Sequence, residues 1–153
     1  MRFVIQRVTN ASITVNNSIV GQINTGFLVL IGIHQNDTVE IADFMIQKML
    51  KLRIFEDSQG KMNLNINDTN GSLLLVPQFT LYANCKGSNR PDFINAAKPE
   101  YANTLYEYIV NSCKNENINV QTGIFRADMK VNLLNDGPVT IILDSNDFPN
   151  IHV

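Results

Sequence analysis

The run Phe27-Leu-Val-Leu-Ile-Gly-Ile33 constrains this fold more than any other part of the chain, because none of its seven positions is polar. A strand with one wet face alternates polar and apolar residues, whereas one without that alternation must be central and covered on each side. At 153 residues and 44% hydrophobic content, the chain is expected to form one domain, 1–153, around that strand. A chain of this length buries about two-thirds of the surface it exposes when unfolded, so its core needs no disulfide staples.

Around the central strand the pattern is mostly short and extended. Arg2 to Val8 and Ala11 to Val15 read as strands, and Asn16-Asn17 supplies a turn into a third strand, Ser18 to Ile23. Asp37 and Glu40 have capping-box spacing, and Ile41, Phe44, Met45, Met49 and Leu52 then recur on one face, which predicts an amphipathic helix over 38–52. Arg53 to Phe55 and Met62 to Ile66 suggest a short hairpin. Ser72 to Tyr82 reads as an apolar strand interrupted by Pro77. A second helix starts near Pro99 with Tyr101, Leu105, Tyr108, Ile109 and Cys113 on its stripe. Strands near 119–125, 128–134 and 139–143 follow, the last two joined by a turn at Asn135-Asp136-Gly137-Pro138. The sum is an α+β or α/β two-layer design, a mainly antiparallel sheet or open barrel with two principal helices.

Composition removes several chemistries. Twelve basic against fourteen acidic residues give a net charge of −2, so nucleic acid is not drawn in by a global field and any RNA contact has to be a local patch. Cys85 and Cys113 are too far apart in sequence for a Cys-x-x-Cys, and the only histidines, His34 and His152, make a Ser-His-Asp triad improbable. Carboxylates do not cluster and no phosphate-cradling glycine motif is present, so neither a metal nor a cofactor is expected. The apolar run at the N-terminus is broken by Arg7 too early for a signal peptide, and no stretch is long enough to span a bilayer, which points to a soluble, cytoplasmic protein with no membrane or DNA partner.

Two segments stand out: Pro77-Gln78-Phe79-Thr80-Leu81, where an amide and a hydroxyl interrupt an apolar strand, and Asn135-Asp136-Gly137-Pro138-Val139-Thr140. From composition alone the first reads as a bulged edge strand and the second as a β-turn. Together they resemble the two signature segments of the D-aminoacyl-tRNA deacylases, also called D-tyrosyl-tRNA deacylases. The likeness extends through Val4-Ile-Gln-Arg-Val-Thr9, Leu52-Arg-Ile-Phe55, Gly60-Lys-Met-Asn-Leu64, Arg90-Pro91 and Ala127-Asp128-Met129.

That resemblance implies a homodimer that hydrolyses the ester between a D-amino acid, or glycine, and the 3′ end of tRNA, sparing L-aminoacyl-tRNA. Gly137-Pro138 would carry a cis peptide and reach into the other subunit's pocket, with Arg7 fixing its orientation and Met129 also at the substrate. Gln78, Phe79 and Thr80 would form the reaction centre, where backbone N–H groups near Phe79 and Thr80 stabilise the oxyanion and Gln78 orients ribose or water. Thr80 is either an activated nucleophile or, as the lack of an evident base beside it favours, a positioning hydroxyl. Lys86 and Arg90 are expected to touch RNA phosphate, with Lys98, Arg126 and Lys130 as further local cations. One departure is Pro77, which stands where the family usually has Ser. The alternatives it leaves are a deacylase of altered specificity, active on L-alanyl-tRNA, and a catalytically silent tRNA-binding dimer.

Overall fold

The computed structural model describes residues 1–148 and Ile151. Its elements run β1 (Arg2–Val15), β2 (Ser18–Ile23), β3 (Gly26–Gly32), α1 (Val39–Leu50), β4 (Phe55–Glu56), β5 (Met62–Leu64), β6 (Ser72–Pro77), a single 3-10 turn η1 (Phe79–Tyr82), α2 (Pro99–Lys114), β7 (Asn119–Thr122), β8 (Lys130–Asp144) and a second turn η2 (Ser145–Asp147). The main sheet has the order β2-β1-β3-β6-β7, with β8 on the other edge of β1.

The sheet is mainly antiparallel, as expected, but it is mixed. β1 pairs antiparallel with β2, β3 and β8, but β3–β6 and β6–β7 are parallel. Parallel neighbours need a long crossover, and the two helices are those crossovers: α1 lies between β3 and β6 in the chain, α2 between β6 and β7. β2 also touches β6 and β7, so the sheet curls towards a closed barrel.

The two-sided burial of β3 follows from this arrangement. Phe27, Val29 and Ile31 face the helices, where Met45 and Met49 of α1 and Leu105, Ile109 and Cys113 of α2 complete one core. Leu28 faces the interior of the curl with Val8, Ile13, Ile23, Leu74 and Val76.

Several local expectations change. The two opening strands are one, because both stretches pair with β8 without leaving the sheet. Thr38, not Asp37, caps α1, its side chain accepting from the Ile41 N–H. Asp37 is instead buried, bonded to the Met1 ammonium at 2.5 Å and the His34 N–H at 2.6 Å. The buried stripe of α2 holds Tyr106 rather than Tyr101 or Tyr108: the Tyr106 hydroxyl donates to the Leu75 carbonyl at 2.9 Å, while Tyr108 reaches Asp43 at the surface. β6 stops at Pro77, and residues 79–82 form η1 instead of more strand. The expected 128–134 and 139–143 strands are a single β8, with the Asn135–Pro138 segment inside it as a bulge rather than a turn between strands. His152 lies outside the described residues. Among the described residues no helix is long and apolar enough to cross a membrane.

The cysteines provide a check on how α2 is seated. Cys113 is fully buried and burial, with Glu116 adding to it, pushes its thiol up to about 12, whereas Cys85 is exposed. A thiol reagent at pH 8 should therefore modify Cys85 at once and Cys113 only after denaturation. Equal rapid modification of both in the native protein would contradict this packing.

Candidate functional site

The first signature segment is shaped by the end of β6. Pro77 is the last residue in register, opposite Ile31, and the next N–H, from Gln78, still crosses to the Ile31 carbonyl at 2.8 Å. The chain then folds into η1 against β3, where Gly32 makes room: a Cβ there would lie 2.9 Å from Leu81 Cβ. A one-turn 3-10 helix leaves its first N–H groups without intrahelical acceptors. Here those are Phe79 and Thr80, because the Gln78 carbonyl takes the Leu81 N–H.

Side chains around this turn are unlike a nucleophile–base pair. Thr80 is exposed, and its hydroxyl accepts from the Gln78 side-chain amide. An amide is no base, so the arrangement orients Thr80 without activating it. Phe79 is 57% exposed and meets Phe93 edge-on, ring centroids 4.9 Å apart. Among the described residues no group of three His, Cys, Asp or Glu side chains could hold a metal ion.

The second segment is a bulge on β8. Gln6 is opposite Thr140 and Val8 opposite Asn135, so Arg7 alone faces Asp136-Gly137-Pro138-Val139. Arg7, 5% exposed, donates from Nε to the Asp136 carbonyl at 2.9 Å and from Nη1 to the Ile54 carbonyl at 2.7 Å. Asn135 closes the base of the bulge, its Oδ1 accepting from the Val139 N–H at 2.7 Å and its Nδ2 donating to Thr140 Oγ1 at 3.2 Å. At the exposed tip the Gly137–Pro138 peptide is cis and Gly137 has a φ of 137°. A Cβ on Gly137 would come within 2.7 Å of Val139 Cγ2 and 3.1 Å of Arg7 Nη2.

Within one chain the two segments stand apart. η1 sits beside Gly32, which pairs with Arg2, while the bulge faces Arg7. Five residues of β1 separate them, about 17 Å at the rise of a strand. The remaining expected site residues divide between the two ends. Lys86 and Arg90 are exposed on the loop that leaves η1, closed by paired backbone hydrogen bonds between Asn84 and Asp92. Met129 is half-buried against Gly123, whose N–H bonds to Leu75 near the end of β6. Lys98 precedes α2, Arg126 is exposed between β7 and β8, and Lys130 is engaged with Asp128 at 3.0 Å. His34 lies behind η1, its ring 5.3 Å from that of Tyr82. Sequence reasoning missed Arg2 as a support of η1, because its partners are fixed only by strand register, and missed the supporting role of Asn135, because its bonds to Val139 and Thr140 form only within the bulge.

Known proteins resemble this chain in sequence and in fold. The model of the D-Tyr-tRNA(Tyr) deacylase family matches residues 4–144. A D-aminoacyl-tRNA deacylase of Clostridioides difficile is 53% identical over 146 residues, 95% of this chain and 98% of the relative. One from Thermosipho melanesiensis is 52% identical over 146 residues, covering 95% and 97%. The solved structure of a c-Myc DNA unwinding element binding protein superposes with a TM-score of 0.89 at 39% identity, over 94% of this chain and 98% of that one. A probable eukaryotic D-amino acid tRNA deacylase shares the fold, with a TM-score of 0.75 at 17% identity over 93% and 97%.

Arg7 is a buried side chain on which the bulge hangs, and its removal strands the buried Ile54 carbonyl and frees the Asp136 carbonyl at the exposed tip. An unmet buried acceptor costs about 1–3 kcal/mol, so Arg7→Met should lower unfolding stability by about 2–3 kcal/mol in urea titrations. A loss under about 0.5 kcal/mol, the ordinary range for a surface change, would show that the bulge is held by something else.

Proposed function

Because the chain belongs to the D-Tyr-tRNA(Tyr) deacylase family, we propose that it removes D-amino acids and glycine from tRNA by reading the geometry of the α-carbon with backbone alone. The enzyme is a D-aminoacyl-tRNA deacylase, a hydrolase of tRNA ester bonds. The observation that carries the finer reading is the Arg7-held bulge. It presents a cis Gly137–Pro138 peptide to solvent, with no side chain beyond the pyrrolidine ring to read a substrate's side chain. A rigid backbone wall rejects an L-substituent by collision and leaves the D-side chain unread, so one site accepts many amino acids and glycine passes.

The reaction is assigned to η1. Water attacks the ester carbonyl carbon, the oxyanion that forms is met by the Phe79 and Thr80 N–H groups, and collapse releases the amino acid and the 3′-terminal hydroxyl of tRNA. Each such donor is worth roughly 3 kcal/mol in the transition state, which makes a histidine base dispensable. Thr80, oriented by Gln78, positions the ribose or the water, and the ribose 2′-hydroxyl assists proton transfer. Met129 lines the substrate side near the end of β6. Lys86 and Arg90, on the loop leaving η1, meet phosphate of the acceptor end without reading its sequence.

Since about 17 Å of β1 separates η1 from the bulge in one chain, the bulge serves the pocket of a second copy. The homodimer this requires is supported by β8, whose only strand partner among the described residues is β1 and which exposes Leu134 and Ile142, 58% and 62% accessible.

Incubation with D-tyrosyl-, L-tyrosyl-, glycyl- and L-alanyl-tRNA tests the reading. Hydrolysis of the D-tyrosyl and glycyl esters with the L-tyrosyl ester intact is the expected result, and the L-alanyl lane decides the alternative raised by Pro77. Gly137→Ala, whose Cβ collides with Val139 and Arg7, should erode the D-to-L ratio. Thr80→Val should slow D-tyrosyl hydrolysis by about tenfold to a hundredfold with the ratio preserved. Equal hydrolysis of both tyrosyl esters by the native protein would overturn the chiral reading.

A further inference from the structure

If η1 carries the reaction, something must hold that single turn still, and its own hydrogen bonds are few. It is entered through Gln78 N–H to Ile31 and closed by Ala83 N–H to the Thr80 carbonyl at 3.0 Å. Among the described residues only one side chain from another element donates to it: Arg2, whose Nη1 bonds to the Leu81 carbonyl at 2.8 Å. The same guanidinium holds Asp144 Oδ2 through Nε at 2.8 Å and Nη2 at 2.6 Å, and its Cζ lies 5.3 Å over the Tyr82 ring. We propose that Arg2 is a positioning residue for deacylation, tying η1 to the end of β8 so that the Phe79 and Thr80 groups stand where the oxyanion forms.

The neighbours leave this task to Arg2. Tyr82 is buried, 8% exposed, yet its hydroxyl has no partner among the described residues, so no hydrogen bond from its side chain secures the turn. Asp144 is a fixed anchor, its other oxygen accepting the Asn146 N–H at 3.0 Å. Burial pushes the Asp144 carboxyl up, but the Asn146 N–H and Arg2 outweigh that and hold it below the usual carboxylate range, so it is charged at neutral pH. A planar fork can hold a carboxylate on one side and a carbonyl on the other, and an ammonium cannot span both in that geometry. The Leu81 carbonyl lies one residue beyond Thr80, so slackening it displaces the reacting groups while leaving the distant bulge intact. The effect belongs in turnover, not in chirality.

This inference rests on the deacylase reading, and the test separates the two. Arg2→Lys and Arg2→Ala are assayed on D- and L-tyrosyl-tRNA beside the native protein. The expected result is a fall in kcat of about tenfold to a hundredfold, with KM and the D-to-L ratio within about twofold of native. The Arg2 side chain is 35% exposed, so added guanidinium at low millimolar concentration should reach the gap in Arg2→Ala and raise its rate, with no such gain in Thr80→Val or from sodium chloride. A kcat within about twofold of native, a loss confined to KM, or no response of Arg2→Ala to guanidinium would overturn the proposal. Should Arg2→Ala fail to fold, Arg2→Lys decides by its kcat alone. No hydrolysis by the native protein would instead overturn the deacylase reading itself.

Discussion

β1 is paired along both edges, and the positions of both signature segments follow from that constraint. One edge takes β3 and then β2, the other takes β8 along almost its whole length. A strand gripped in this way cannot slip, because a shift by one residue would move Phe3 and Ile5 out of the helix-side core. It therefore acts as a ruler. Arg2 and Arg7 are set along it five residues apart, the first bonded to η1 and the second to the bulge of β8.

The spacing has a chemical consequence. A group that stabilises an oxyanion and a wall that judges the neighbouring α-carbon have to lie within a few ångströms of one substrate, and about 17 Å of strand lies between them here. In the proposed mechanism two copies of the chain resolve the conflict, each lending its bulge to the other's reaction turn. Rigidity then matters more than side-chain chemistry. In that reading the wall is the backbone that one buried arginine and one asparagine hold, and the oxyanion donors are backbone N–H groups. A protein with few histidines and no carboxylate cluster loses nothing by this design.

Much of the framework was legible because it depends on local periodicity. The apolar run from Phe27 to Ile33 is a strand covered on both faces, and both helices begin within one residue of where capping or proline signals put them. The misreadings share a cause in long-range pairing. Asp37 looks like a cap, but the Met1 ammonium and the His34 N–H claim its carboxylate, so Thr38 takes the cap. Residues 79–82 are apolar enough for a strand, yet β6 has lost its partner by then, since β3 ends at Gly32. Asn135–Pro138 has turn chemistry, but β1 carries on past it and keeps both flanks in one strand. Gln78, Phe79, Thr80, Gly137, Pro138 and Arg7 are proposed as site residues through family resemblance alone, because nothing in composition marks backbone as a reagent. Arg2 carried no signal, as its partners lie 79 or more residues away, and Asn135, though within the second segment, showed no supporting role because the bulge was unforeseen.

The shared pocket is tested most directly by a heterodimer of Thr80→Val and Gly137→Ala chains, purified through different tags. One of its sites then combines an intact η1 with an intact bulge and the other combines both lesions. About half of the native rate per dimer on D-tyrosyl-tRNA, with native chirality, is predicted, although one parent is slow and the other has an eroded D-to-L ratio. A heterodimer whose D-to-L ratio is eroded like that of the Gly137→Ala parent would contradict a pocket built from two chains.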